Sequence, residues 1–185
     1  MQNVLIGISS ILALVSYIVY AIAILKGEAR PHRTTRFVLV VITCLASAAL
    51  LASASTVAIW LIGAMTIGSV AIFLLSLKYG MGGFSKIDIL CLYLSIAGIV
   101  FWKLTSNPLY GIIASIGADM TGQIPMLIKT YTYPESEVWT FYALDVLAAI
   151  ASLLAIQQWS IQELSYPLYI TLLDFTVVLL ILRKR

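Results

Sequence analysis

Three carboxylates, Asp119, Asp145 and Asp174, each sit inside apolar sequence long enough to cross a bilayer. An ionised acid at the bilayer centre costs roughly 2.5–3.5 kcal/mol on insertion scales, so such residues face a cavity or a partner rather than lipid. Unpaired carboxylates in a low dielectric take up a proton, bind a cation, or accept hydrogen bonds from a polyhydroxy ligand. Gln123 lies one helical turn from Asp119 and shares its face. Gly122 thins the same helix, and Pro125 removes a backbone hydrogen bond from the turn before it, which suits a hinge or a packing kink equally. Tyr142 and Trp60 are the aromatics placed to reach a central cavity. The expected site is therefore Asp119, Gln123, Asp145, Asp174, Tyr142 and Trp60, with Gly122 and Pro125 as the hinge. No nucleophile–base pair, phosphate-cradling loop or metal-spaced His/Cys set accompanies them, so no enzyme, cofactor or metal is expected.

The elements that carry these residues follow from hydropathy. Of 185 residues, 62% are hydrophobic and 10% charged, whereas a soluble domain carries about a quarter charged residues. Seven apolar segments recur, at 4–25, 37–52, 57–77, 87–104, 109–128, 138–156 and 164–182. Each is read as a membrane helix, which predicts an all-α membrane protein without a soluble domain. The first segment lacks the basic leader and small-residue cleavage site of a signal peptide. Cys44 and Cys91 lie within spans, so no disulfide framework is expected. With seven spans, Lys103 stands alone on one side and the other ten lysines and arginines on the opposite side. The positive-inside rule then puts the N-terminus outside and the C-terminus in the cytoplasm. The net charge of +3 comes from short loops beside spans, so the partners expected are membrane lipids and no nucleic acid. The loop cluster Arg30, His32, Arg33 and Arg36 reads as topology-setting charge. Trp102, Trp139, Trp159 and Tyr166 read as an interfacial belt, and Glu135 and Glu137 as caps for the sixth helix.

Sliding the chain against itself by 103 residues pairs Lys26 with Lys129, Pro31 with Pro134, and Ala46-to-Ala52 with Ala149-to-Ala155 at several positions. Segments one to three thus read as a copy of segments five to seven, with segment four between them. Three helices plus one keep both copies in the same orientation, and sites in such folds lie near mid-depth where the repeats meet. The three acids pair with Ser16, Ile42 and Ala71 under this shift, so the first copy lacks them.

The tract Gly122-Gln123-Ile124-Pro125, with Lys129, Pro134-Glu135, Trp139, Tyr142 and Asp145 beyond it, resembles the repeat signature of the SWEET and PQ-loop superfamily. Gln123 precedes Pro125 by two, and the first segment has no intramembrane proline, two departures from that pattern. The resemblance implies a 3+1+3 bundle (repeat one about 4–77, linker helix about 87–104, repeat two about 109–182). It also implies a carrier that moves a sugar or other small polar solute by alternating access, with proton linkage and homo-oligomerisation left open. Two alternatives stand beside it: a receptor or assembly component on the same fold, and a PnuC-like vitamin carrier.

Overall fold

A chain in hydrocarbon must satisfy its backbone polar groups internally, and each apolar run does so as a helix. The computed structural model describes residues 1–29, 31, 33–80, 86–132 and 134–183. Among them are α1 (Gln2–Leu25), α2 (Arg33–Ala52), α3 (Ala58–Tyr79), α4 (Lys86–Thr105), α5 (Leu109–Thr132), α6 (Trp139–Ala155) and α7 (Ile161–Leu182). A 3₁₀ turn at Pro134–Ser136 joins α5 to α6, and no strand occurs among the described residues. The fold is all-α. Helices α1, α2, α3, α5 and α7 contain stretches long and apolar enough to cross a membrane. Helix α6 has 17 residues, about 25 Å of length, and Ile96–Thr105 is a shorter apolar stretch of α4. The glycine-rich loop at 81–85, together with Arg30 and His32, lies outside the described residues.

Several boundaries differ from the hydropathy reading. Helix α2 begins at Arg33 rather than at Phe37, so Arg36 belongs to its first turn and not to a loop. Helix α5 continues past Ile128 to Thr132. Helix α7 starts at Ile161 because Ser160 caps it, its Oγ accepting from the Glu163 N–H at 3.2 Å. The turn between α2 and α3 carries Ala54 at a φ of 54°, a conformation reserved for tight reversals.

The Gln2 end of α1, the α2–α3 turn and the α6–α7 connection meet at one end of the bundle. At the other end, Arg33 Nε donates to Ser76 O at 3.1 Å and Arg183 donates to Tyr131 O at 2.5 Å. These contacts tie the start of α2 to the end of α3, and the end of α7 to the end of α5. Helix α3 packs against both α1 and α2, and α7 against both α5 and α6. Helix α1 lies along α6, α2 meets α5, and α4 lies along α5 and α2. Small residues permit the closest approaches. A Cβ on Gly98 would stand 2.2 Å from Ala114, and one on Gly111 would stand 2.9 Å from Ala49. The core runs from an alanine-rich layer around Ala13, Ala49 and Ala148 to an aromatic layer of Tyr20, Phe141 and Tyr142.

Candidate functional site

The three acids arrive from three helices. Asp119 stands near the middle of α5, Asp145 on the most enclosed face of α6, and Asp174 on α7, and all three are buried. Asp119 accepts a hydrogen bond from the Tyr169 hydroxyl on α7 at 3.0 Å, and its other oxygen lies 3.4 Å from Gln123 Nε2. The expected Asp119–Gln123 pairing on one helical face is therefore present. Asp145 bonds Ser16 across the α1–α6 contact. Asp174 is close enough to feel the charge of both Asp145 and Asp119, yet it takes no hydrogen bond among the described residues.

The first half of the chain supplies the other wall. Tyr17 on α1 feels both Asp145 and Asp174, and its hydroxyl shares a 3.2 Å hydrogen bond with Ser69 on α3. Its ring fills the space left by Gly68, where a Cβ would stand 2.2 Å from the ring. Gly68 and Ser69, residues that suggest close helix packing, thus hold an aromatic ring rather than a bare backbone. Ser16 has one hydroxyl hydrogen and two acceptors within reach, Asp145 and the Ala13 carbonyl at 2.8 Å. An ionised Asp145 takes that hydrogen itself, whereas a protonated Asp145 donates to Ser16, which then donates to Ala13. The site accommodates both states without moving the backbone.

Towards the α2 start lies a second polar group. Arg36 donates to the Tyr20 hydroxyl at 2.8 Å and stands 4.7 Å over the Tyr20 ring. Its charge reaches Tyr142, Glu137 and Asp119. The Tyr142 hydroxyl donates to Glu137 at 3.0 Å. Tyr142 therefore belongs to this neighbouring cluster, although Asp174 lies within its electrostatic reach. Glu137 is occupied by Tyr142, and the sixth helix starts at Trp139, its N-cap Val138 making no side-chain capping bond.

Trp60 does not join the acids. It is 58% exposed, in the first turn of α3, beside a cavity of about 600 Å³ at the bundle end. Gly122 lies partly exposed on α5. Helix α5 runs on through Pro125, whose side chain lies outside the described residues. Tyr166 leaves the expected belt altogether: it is 1% exposed and packs edge-on against Tyr169 with ring centroids 6.0 Å apart.

No family model, curated protein or solved structure matches this chain. The site must be read from its own chemistry.

Sequence reasoning passed over Ser16, Tyr17, Tyr169 and Arg36. Tyr17 and Tyr169 carried a usable signal, since a hydroxyl in the middle of an apolar span needs a buried partner. Arg36 was counted among loop charges because the start of α2 was set four residues late.

Glu163 was missed outright. It is buried at the head of α7, and its carboxylate accepts from the backbone N–H groups of Thr56 (2.5 Å), Val57 and Ala58 (2.7 Å) and from Ser55 Oγ (2.8 Å). The spacing Ser160-x-x-Glu163 is that of a capping box, whose glutamate ordinarily returns to its own helix. Here it crosses to the N-terminus of α3 instead.

Proposed function

We propose that this protein is a small-molecule carrier of SWEET-like, 3+1+3 fold, moving a sugar or other small polar solute by alternating access around the acids. The observation that carries this reading is that three buried carboxylates come from α5, α6 and α7, with Asp174 within electrostatic reach of the other two, Asp145 bonded to Ser16 of α1 and Asp119 to Tyr169 of α7. Carboxylates, Tyr169, Gln123 and Ser16 together offer the acceptors and donors that a polyhydroxy solute requires. Buried acids at this density are a costly arrangement for packing alone.

The two-fold pattern of helix contacts supports the repeat. Helix α3 packs on α1 and α2 as α7 packs on α5 and α6, and α1 meets α6 as α5 meets α2. Charge distribution supports an outward N-terminus: Lys26, Arg33, Arg36 and Lys78 flank the end opposite the cavity, and among the described residues no lysine or arginine lines the cavity. A bacterial plasma membrane suits that polarity.

The test is uptake into proteoliposomes, preceded by a thermal-shift screen against sugars, nucleosides, amino acids and vitamins at two pH values. A bound solute raises the melting temperature by mass action. Asp119→Asn should abolish uptake while leaving expression intact. A protein that shifts with no solute and moves none in liposomes, yet retains a partner protein, would instead be a receptor.

A further inference from the structure

Ser9 on α1 and Ser152 on α6 are each 1% exposed, and no described group hydrogen-bonds either hydroxyl. Their neighbour Ser10 behaves ordinarily, donating to Ile6 O at 3.0 Å. Buried hydroxyls without a partner are rare because each forfeits a hydrogen bond it would make in water. Their positions are related. Ser9 lies seven residues from Ser16, and Ser152 lies seven residues from Asp145. Seven residues are two helical turns, about 10 Å along the axis.

Ser16 and Asp145 touch, and α1 and α6 run antiparallel. The two serines therefore come level with one another, on the cavity side of the Ser16–Asp145 pair. One further turn outward, Ile6 and Ile156 line the cavity of about 600 Å³. Between the serines and the acid the seam is lined by Ala13, Ala148 and Ala149, all fully buried, whose side chains are single methyl groups.

We infer that this α1–α6 seam is a water-mediated proton path from the outer cavity to Asp145, with Ser9 and Ser152 as its relay hydroxyls. A water held between two hydroxyls makes the two to four hydrogen bonds that a buried water needs. Each relay hydroxyl accepts a hydrogen from behind as it passes its own forward. The proton entering at the cavity converts the Asp145 carboxylate to the acid. Ser16 then switches its hydrogen to the Ala13 carbonyl. The titratable groups that face Asp145 are Asp174 from α7 and Tyr17 from α1, and Asp119 acts on Asp174 in turn. The path rests on the proposed reading of Asp145 as part of a working site, and it gives that site protonic contact with one side of the membrane.

Two measurements test it without any solute. In a chain carrying Cys44→Ser and Cys91→Ser, Ser9→Cys and Ser152→Cys should both react with silver ion added outside sealed proteoliposomes. Reaction is read as loss of maleimide-titratable thiol after unfolding. Ala46→Cys, fully buried in the core, should stay unreactive. Silence at both serine positions, or equal reaction at Ala46, overturns the path.

In the second measurement, an outside pH jump is followed by the infrared carboxyl band that Asp145→Asn removes. The double variant Ser9→Val/Ser152→Val should slow that band's response at least tenfold, and Ser10→Ala should not. An unchanged rate in the double variant overturns the path. Because neither readout needs transport, a failed seam leaves the carrier reading standing, and a protein that carries nothing can still pass both tests.

Discussion

Two kinds of buried acid meet in this fold, and they are treated oppositely. Glu163 takes hydrogen bonds from three backbone N–H groups and from the hydroxyls of Ser55 and Thr56. Its negative charge also sits where the partial positive charge of the α3 N-terminus is concentrated. That carboxylate has no capacity left for a ligand. Asp174, equally buried, takes none among the described residues, and Asp145 shares a single serine hydrogen with a carbonyl. An acid saturated with donors holds helices together. An acid left short of them costs stability and is available to bind something.

The sharpest way to break this contrast is to neutralise one acid of each kind. Asp119→Asn and Asp145→Asn should each reduce solute uptake at least 100-fold while changing thermal unfolding in detergent by less than about 1 kcal/mol, since the amide keeps shape and one acceptor. Glu163→Ala should do the reverse. Leaving the N–H groups of Thr56, Val57 and Ala58 without their acceptor, two of them buried, should destabilise the protein by about 3 kcal/mol, with uptake per folded molecule within twofold of the parent. Comparable uptake losses in both classes would erase the distinction.

A smaller effect of opposite sign is expected at Asp174. Removing an unpartnered acid that lies near two others should stabilise the protein by about 1 kcal/mol in Asp174→Asn, read as a higher melting temperature. A fall would mean that the acid is structurally satisfied.

Gly68→Ala should displace the Tyr17 ring and lower stability by about 1–2 kcal/mol, with Gly63→Ala as the neutral control, because nothing lies within 4 Å of a Cβ there. The smallest change belongs to Tyr169→Phe. It removes one hydrogen bond from Asp119, worth about 1 kcal/mol, and should weaken solute binding more than it weakens folding.

The readable part of this molecule was the part governed by local chemistry. Hydropathy located seven helices, because a run of apolar side chains needs no knowledge of its neighbours to demand a helix in lipid. It also singled out Asp119, Asp145 and Asp174, since a charge in such a run is conspicuous wherever the helix packs. Gln123 followed from helical spacing alone. Trp60 failed because the inward face of α3 depends on how that helix is rotated. Its hydropathy is nearly uniform around the axis, so nothing local states the rotation. Tyr166 failed for the same reason at the head of α7.

Sequence therefore dictated which segments form long apolar helices and which of their residues are expensive in apolar surroundings, for both are properties of a side chain and its solvent. Packing alone decided what those residues meet. Ser16 bonds Asp145 across 129 positions, and Glu163 caps a helix more than 100 positions away. Those partnerships depend on the register and rotation of packed helices, which small-residue contacts such as those of Ala13, Ala148 and Ala149 between α1 and α6 set in three dimensions.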